Sequence, residues 1–152
     1  MDVSEALRRA YFAVLTPLVV DGVTIPVFDE VVNANETIPL LNVFASTYVI
    51  IQDQQEIEGV QNFCNYRQNC NITIRVVTKF ATSKNLGKKV AEKVSDIIQS
   101  RIKPTGKTHS LVNANGYTFQ SVNKELSRTI FEEANGTTAI SKVIIYNNIV
   151  NK

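Results

Sequence analysis

His109 is the only histidine of the 152-residue chain, and Cys64 and Cys70 are its only cysteines. A thiol and an imidazole can form a nucleophile and its base when the fold brings them together. The linear spacing does not favour it here. Ser110 adjoins His109, but chain neighbours usually point apart, so a loop histidine without a catalytic role is the better reading. Two cysteines with five residues between them and one distant histidine fall short of the four ligands that a structural zinc wants. With no secretion signal they read as reduced thiols, although a disulfide across so short a gap is geometrically feasible. Gly106-Lys107-Thr108 suggests a phosphate loop, but the full pattern needs a glycine at the position held by Arg101, a strand before it and a helix after it. The expected order is the reverse, a helix and then a loop.

The carboxylates are no more suggestive. Asp29, Glu30, Asp53, Glu56, Glu58, Glu132 and Glu133 are dispersed, and Glu132 and Glu133 fall on opposite faces of a strand. Tyr48, Phe63, Tyr66, Tyr117 and Phe119 form no regularly spaced platform for stacked bases. Lys88, Lys89, Lys93, Arg101 and Lys103 alternate with Glu92 and Asp96 on one predicted helix. That reads as a solvated face, with a charged subunit contact through Lys88, Lys89 and Lys93 as the alternative. The residues therefore nominate no catalytic, cofactor or metal site, and point to a protein whose function is a surface.

The elements that would carry such a surface are legible. A chain of this length fits one domain, residues 1–152, with an ordinary core. Its 44% hydrophobic and 20% charged content is that of a globular protein, and a net charge of +2 without a dense basic block does not indicate binding to nucleic acid by charge. The N-terminus lacks the apolar run of a signal peptide, and no stretch is apolar for long enough to predict a membrane span.

The clearest unit is Asn71–Lys103. Ile72, Ile74, Val76, Thr78 and Phe80 alternate as one face of a strand, and Val90, Val94, Ile97, Ile98 and Ile102 make the stripe of an amphipathic helix. Burying each of those helix side chains contributes roughly 1.5–3 kcal/mol, most simply by laying the helix on the sheet that holds the strand. Val3–Thr16 predicts a first helix, with Asp2 and Glu5 as a reciprocal cap. Ile25–Val32 predicts a proline-led edge strand, and Thr47–Gln52 a strand running on toward Gln55. Gly59–Asn71 reads as an exposed loop or a ragged hairpin tip, Pro104–Gly116 as a loop, and Tyr117–Val122 as a strand. Leu126–Glu133 and Thr138–Val150 form a hairpin about Asn135-Gly136 whose second arm, apolar on both faces, belongs in the sheet centre. The expected class is α+β: a mainly antiparallel sheet with two helices packed on one face.

In segment order the chain resembles the phage tail-terminator (tail-completion) family. The resemblance lies in an N-terminal helix followed by VTIPVFDEVV, then TYVIIQDQQE, then NITIRVVTKF with NLGKKVAEKVSDIIQSRI, and finally ELSRTIFEEANGTTAISKVIIYNNIV, together covering about residues 5–150. It implies a virion protein without catalysis. Such a protein forms a ring, commonly of six, at the head–tail junction or neck, caps the tail tube and meets the head connector. DNA would pass through the lumen without specific binding. The other readings of the residues are a small α+β enzyme using His109 with Cys64 or Cys70, and a non-viral binding or scaffold domain.

Overall fold

The structure is a computed structural model that describes residues 2–152, apart from residues 30, 33–34, 60–66 and 84–85 and the side chains of Asp53, Gln54 and Glu58. Helix α1 (Val3–Leu15) leads into a small hairpin, β1 (Leu18–Val20) and β2 (Val23–Ile25). Strands β3 (Val27–Asp29), β4 (Leu40–Leu41), β5 (Ala45–Glu58) and β6 (Arg67–Ala81) follow, then helix α2 (Gly87–Ile102) and the long strands β7 (Thr118–Ala134) and β8 (Thr137–Asn151). The main sheet has the order β3-β5-β6-β8-β7, with β4 added beside β5. Every pairing in it is antiparallel except β3–β5.

Both helices lie on one face of this sheet. Ile72, Ile74, Val76 and Phe80 of β6 and Ile140, Ile144, Tyr146 and Val150 of β8 form one buried cluster with Leu7, Tyr11 and Leu15 of α1 and Val90, Val94, Ile98 and Ile102 of α2. The period-two and period-3.6 stripes of the sequence thus meet each other, each hiding the apolar surface the other exposes. β8 lies between β6 and β7, and this central position is why it is apolar on both sides. Asn135 (φ 52°) and Gly136 (φ 76°) take the paired left-handed conformation that a two-residue hairpin turn demands.

Tertiary context revises several expected boundaries. The strand expected at Ile25–Val32 is split at Pro26. Lacking an N–H, Pro26 cannot continue a ladder, so the chain leaves β1 and pairs β3 with β5 in parallel instead. Its carbonyl still accepts from Val49 N at 2.9 Å. Arg67–Asn71, read as part of a polar loop, is strand: it lies between Gln55–Glu58 and Asn147–Asn151, so its backbone groups are paired whatever its side chains prefer. The rest of that loop, residues 60–66 with Cys64, lies outside the described residues. The strands expected at Tyr117–Val122 and Leu126–Glu133 are one strand, β7, whose register slips at Phe119/Ser121 and Lys124/Leu126 absorb the polar interruption. At the first helix Asp2 accepts from Ser4 N at 3.1 Å as expected, but Glu5 pairs with Arg9 one turn on at 2.7 Å instead of closing the cap.

Candidate assembly surface

Of the residues that could do chemistry, His109, Cys70 and the Gly106-Lys107-Thr108 loop lie among the described residues, and each is engaged otherwise. His109 Nε2 lies 2.8 Å from the Phe119 carbonyl oxygen. A carbonyl only accepts, so Nε2 carries the proton, and Nδ1 is a buried atom without a hydrogen-bond partner. Cys70 sits on the helix-covered face of β6, 1% exposed, with its Sγ directed at Gln68 Oε1 at 4.0 Å. Burial, and then the nearby Glu56 and Asp2 carboxylates, push its thiol up to about 12, the opposite of an activated nucleophile. The loop with Gly106-Lys107-Thr108 follows the end of α2 and closes on itself, Thr105 and Thr108 hydroxyls lying 2.9 Å apart. Among the described residues no group of three or more His, Cys, Asp or Glu is placed to hold a metal, and no helix is long and apolar enough to cross a membrane.

The same buried layer holds two further groups whose ionisation burial opposes. Tyr11 OH donates to Asn148 Oδ1 at 2.7 Å, and burial raises its phenol well above the ordinary value of 10.0. Burial likewise raises Tyr146 to about 12. A group with a raised folded-state pKa stabilises the fold fully below its unfolded value, and that stability is lost as pH climbs toward the folded one. Chemical denaturation should therefore show stability falling from about pH 9, where an unfolded Cys70 begins to ionise, and more steeply above pH 10 as the two tyrosines join. Each group adds a slope of about 1.4 kcal/mol per pH unit. Cys70→Ala should remove the part that begins near pH 9; an unchanged profile would show that the thiol is not held neutral by the fold.

The lysines nominated on α2 are not equivalent. Lys93 Nζ is clasped by Asp21 at 2.6 Å, fastening α2 to the β1–β2 turn. Lys88 Nζ stands 5.9 Å from the ring centroid of Phe131 on β7. Lys89 is exposed. Lys88 thus lies against β7 at one end of the molecule, whereas Lys93 serves the protomer's own packing.

That end also carries a feature the sequence reading passed over. Phe131 is 55% exposed, and Glu132 and Glu133 follow it. By register Phe131 opposes Ile140 and Glu133 opposes Thr138, so both project from the helix side of the sheet, while Glu132 projects from the other. An aromatic residue followed by acids two positions before an Asn-Gly turn was the available signal. At the far end a cleft of about 540 Å³ opens between α1, the last turn of α2 and the segment after it, walled by Ala10, Ala13, Val14, Val112 and Ala114. Its two charged lining residues are Arg9 and Arg101. Arg101 donates to the carbonyls of Leu15 and Pro17, which holds it at the cleft mouth.

Among the described residues no helix covers the sheet face opposite α1 and α2. Ile50, Val77 and Val143 lie there under the longer side chains of Tyr48, Arg75 and Lys79, and Arg75 bonds Ser141 Oγ at 2.9 Å. Farther along, Gln55, Asn71, Asn147 and Asn123 stand side by side on four adjacent strands, a row of uncharged amides.

The fold and its surfaces define an α+β protein with both helices on one face of the main sheet and no assembled reaction centre among the described residues. In sequence the chain matches no protein-family model and no curated protein. In structure it is similar to a chain in the virion of a native gene transfer agent (GTA) particle, with a TM-score of 0.65 over 99% of this chain and 98% of that one, at 15% identity. The likeness at this identity is one of fold, and it is end to end.

Proposed function

We propose that this chain is a virion structural protein of a tailed, phage-like particle, and that it forms a ring at the head–tail junction or neck. There it caps the tail tube and joins it to the head connector, and DNA passes through the lumen. The observation that carries this reading is the end-to-end likeness in fold to a chain of a gene transfer agent virion, from a sequence whose segment order already resembles tail terminators. The chemistry agrees with it: among the described residues His109 is bonded to a carbonyl and Cys70 is buried, while charged and apolar side chains are displayed at both ends of the molecule. A net charge of +2 suits a pore that must let DNA slide without gripping its phosphates. Its partners would be copies of itself and the adjacent connector and tail proteins, and Lys88 and Lys89, with Lys93 behind them, would lie near a subunit contact.

Light scattering on the eluting peak of a sizing column, with negative-stain imaging, tests this. The expected species is a ring of six or a multiple of six, hence a mass of about 100 kDa or more from a 16.9 kDa protomer. Reversal of charge at Lys88 should disturb it more than His109→Ala. A strict monomer at high concentration, unchanged by added tail tubes, would count against the reading.

A further inference from the structure

The two ends of the protomer are complementary. The β7–β8 tip offers Phe131 as an exposed aromatic knob, with Glu133 two residues on and projecting to the same side. The cleft beside the end of α2 offers apolar walls in Ala13, Val14 and Val112 and two guanidinium groups, Arg9 and Arg101. Arg9 is shared with Glu5, but the carbonyls that hold Arg101 are neutral, so its charge is met by no carboxylate among the described residues. The tip lies at the N-terminal end of α2 and the cleft at its C-terminal end. Lys88, beside Phe131, and Arg101, at the cleft, are 13 residues apart on α2, about 20 Å at ~1.5 Å per residue. A protomer cannot reach its own cleft.

From this geometry we infer that the β7–β8 tip of one copy docks in the Arg9/Arg101 cleft of the next, Phe131 seated against Val112 and Ala13 and Glu133 directed at Arg101. The inference rests on the ring reading and names its contact. A knob at one end and a hole at the other make a heterologous interface, which repeats around a closed ring. An aromatic anchor entering an apolar pocket rimmed by opposite charges has the make-up of an interface hot spot. Lys88, beside Phe131, would flank the contact and keep the ring oriented in the free protomer. The free edge of β7 is a poor alternative: two register slips and the charges of Lys124, Glu125 and Arg128 guard it against pairing with another strand.

The test is a cysteine pair, Val112→Cys with Phe131→Cys, in the full chain carrying Cys64→Ser, Cys70 being buried. Mild oxidation should give a ladder of disulfide-linked multimers from the pair and none from either single variant. Assembled rings that yield no ladder would overturn the docking and leave the ring reading standing. A protein that neither assembles nor cross-links at high concentration would overturn both. A ladder without closed rings would support the docking and count against the ring. A second experiment mixes Phe131→Asp with Val112→Asp, both at exposed positions. Each alone should fail to assemble, and the mixture should stop at dimers, because only one good knob and one good hole remain per pair. Full assembly of either single variant would overturn the inference.

Discussion

Replacing Asn148 by leucine should destabilise the protein by roughly 2–4 kcal/mol, a large share of the 5–15 kcal/mol that a domain of this kind has in total. Asn148 is fully buried on the helix-covered face of β8. Its Oδ1 accepts from Tyr11 OH at 2.7 Å, and its Nδ2 donates to the Cys70 carbonyl at 3.0 Å and toward the Tyr146 carbonyl at 3.4 Å. One side chain therefore ties α1 to the middle of the sheet, at the level where β6 and β8 pair. Leucine is close in size, so the loss would not come from a cavity. It would come from stranding the Tyr11 hydroxyl, itself 0% exposed, without its partner, at about 1–3 kcal/mol, and from losing the bonds to the carbonyls. A double-mutant cycle with Tyr11→Phe separates these contributions. Once the hydroxyl is gone there is nothing to strand, so Tyr11→Phe with Asn148→Leu should cost less than the sum of the two. Urea unfolding reads this directly, and additivity within about 0.5 kcal/mol would rule out the coupling.

Gly87→Ala is the second large effect, and here two principles pull in opposite directions. Alanine is the better helix former by up to about 1 kcal/mol, so propensity alone predicts stabilisation of α2. The structure predicts the reverse. A Cβ at Gly87 would lie 2.0 Å from Cε1 of Phe80, far inside contact distance. Phe80 has little room to yield: it is 8% exposed and meets Phe44 edge-on, with ring centroids 6.3 Å apart. Overpacking of this kind costs typically 1–3 kcal/mol, so the net effect should be destabilising. Phe80→Leu in the same chain removes the ring that the new methyl meets, and should recover part of the loss. A Gly87→Ala protein more stable than the parent would mean that α2 shifts freely on β6. The consequence reaches the surface, because this close approach seats the first turn of α2 on the sheet and so stands Lys88 over Phe131. A displaced helix should weaken assembly as well as folding.

These two positions mark where sequence reasoning reached its limit. The stripes of β6 and α2 were legible because a buried face imposes a strict period on apolar residues, and the residues obeyed it: Ile72, Ile74, Val76, Val90, Val94, Ile98 and Ile102 are all at 2% exposure or less. The Asn135-Gly136 hairpin was legible because its turn admits few residues. The β1–β2 hairpin carried the same kind of signal in Asp21 (φ 50°) and Gly22 (φ 77°), between Leu18–Val20 and Val23–Ile25, and was missed because its arms are too short to show a period. The scattered carboxylates and the isolated His109 suggested no site; in the structure His109 lies against the Phe119 carbonyl and Cys70 is buried.

By itself, then, the sequence determined which faces had to be buried, the α+β class and the central place of β8, since these follow from periodicity and turn stereochemistry within a few residues of chain. Only the tertiary structure decided that β3 pairs in parallel, that polar Arg67–Asn71 continues a strand, and that Lys93 belongs to Asp21 while Lys88 belongs to Phe131. It alone also placed the acidic aromatic tip and the arginine-rimmed cleft at opposite ends of α2. The reason is physical: pairing partners, charge contacts and the relation between two distant surfaces depend on which segments meet, and no local spacing records that.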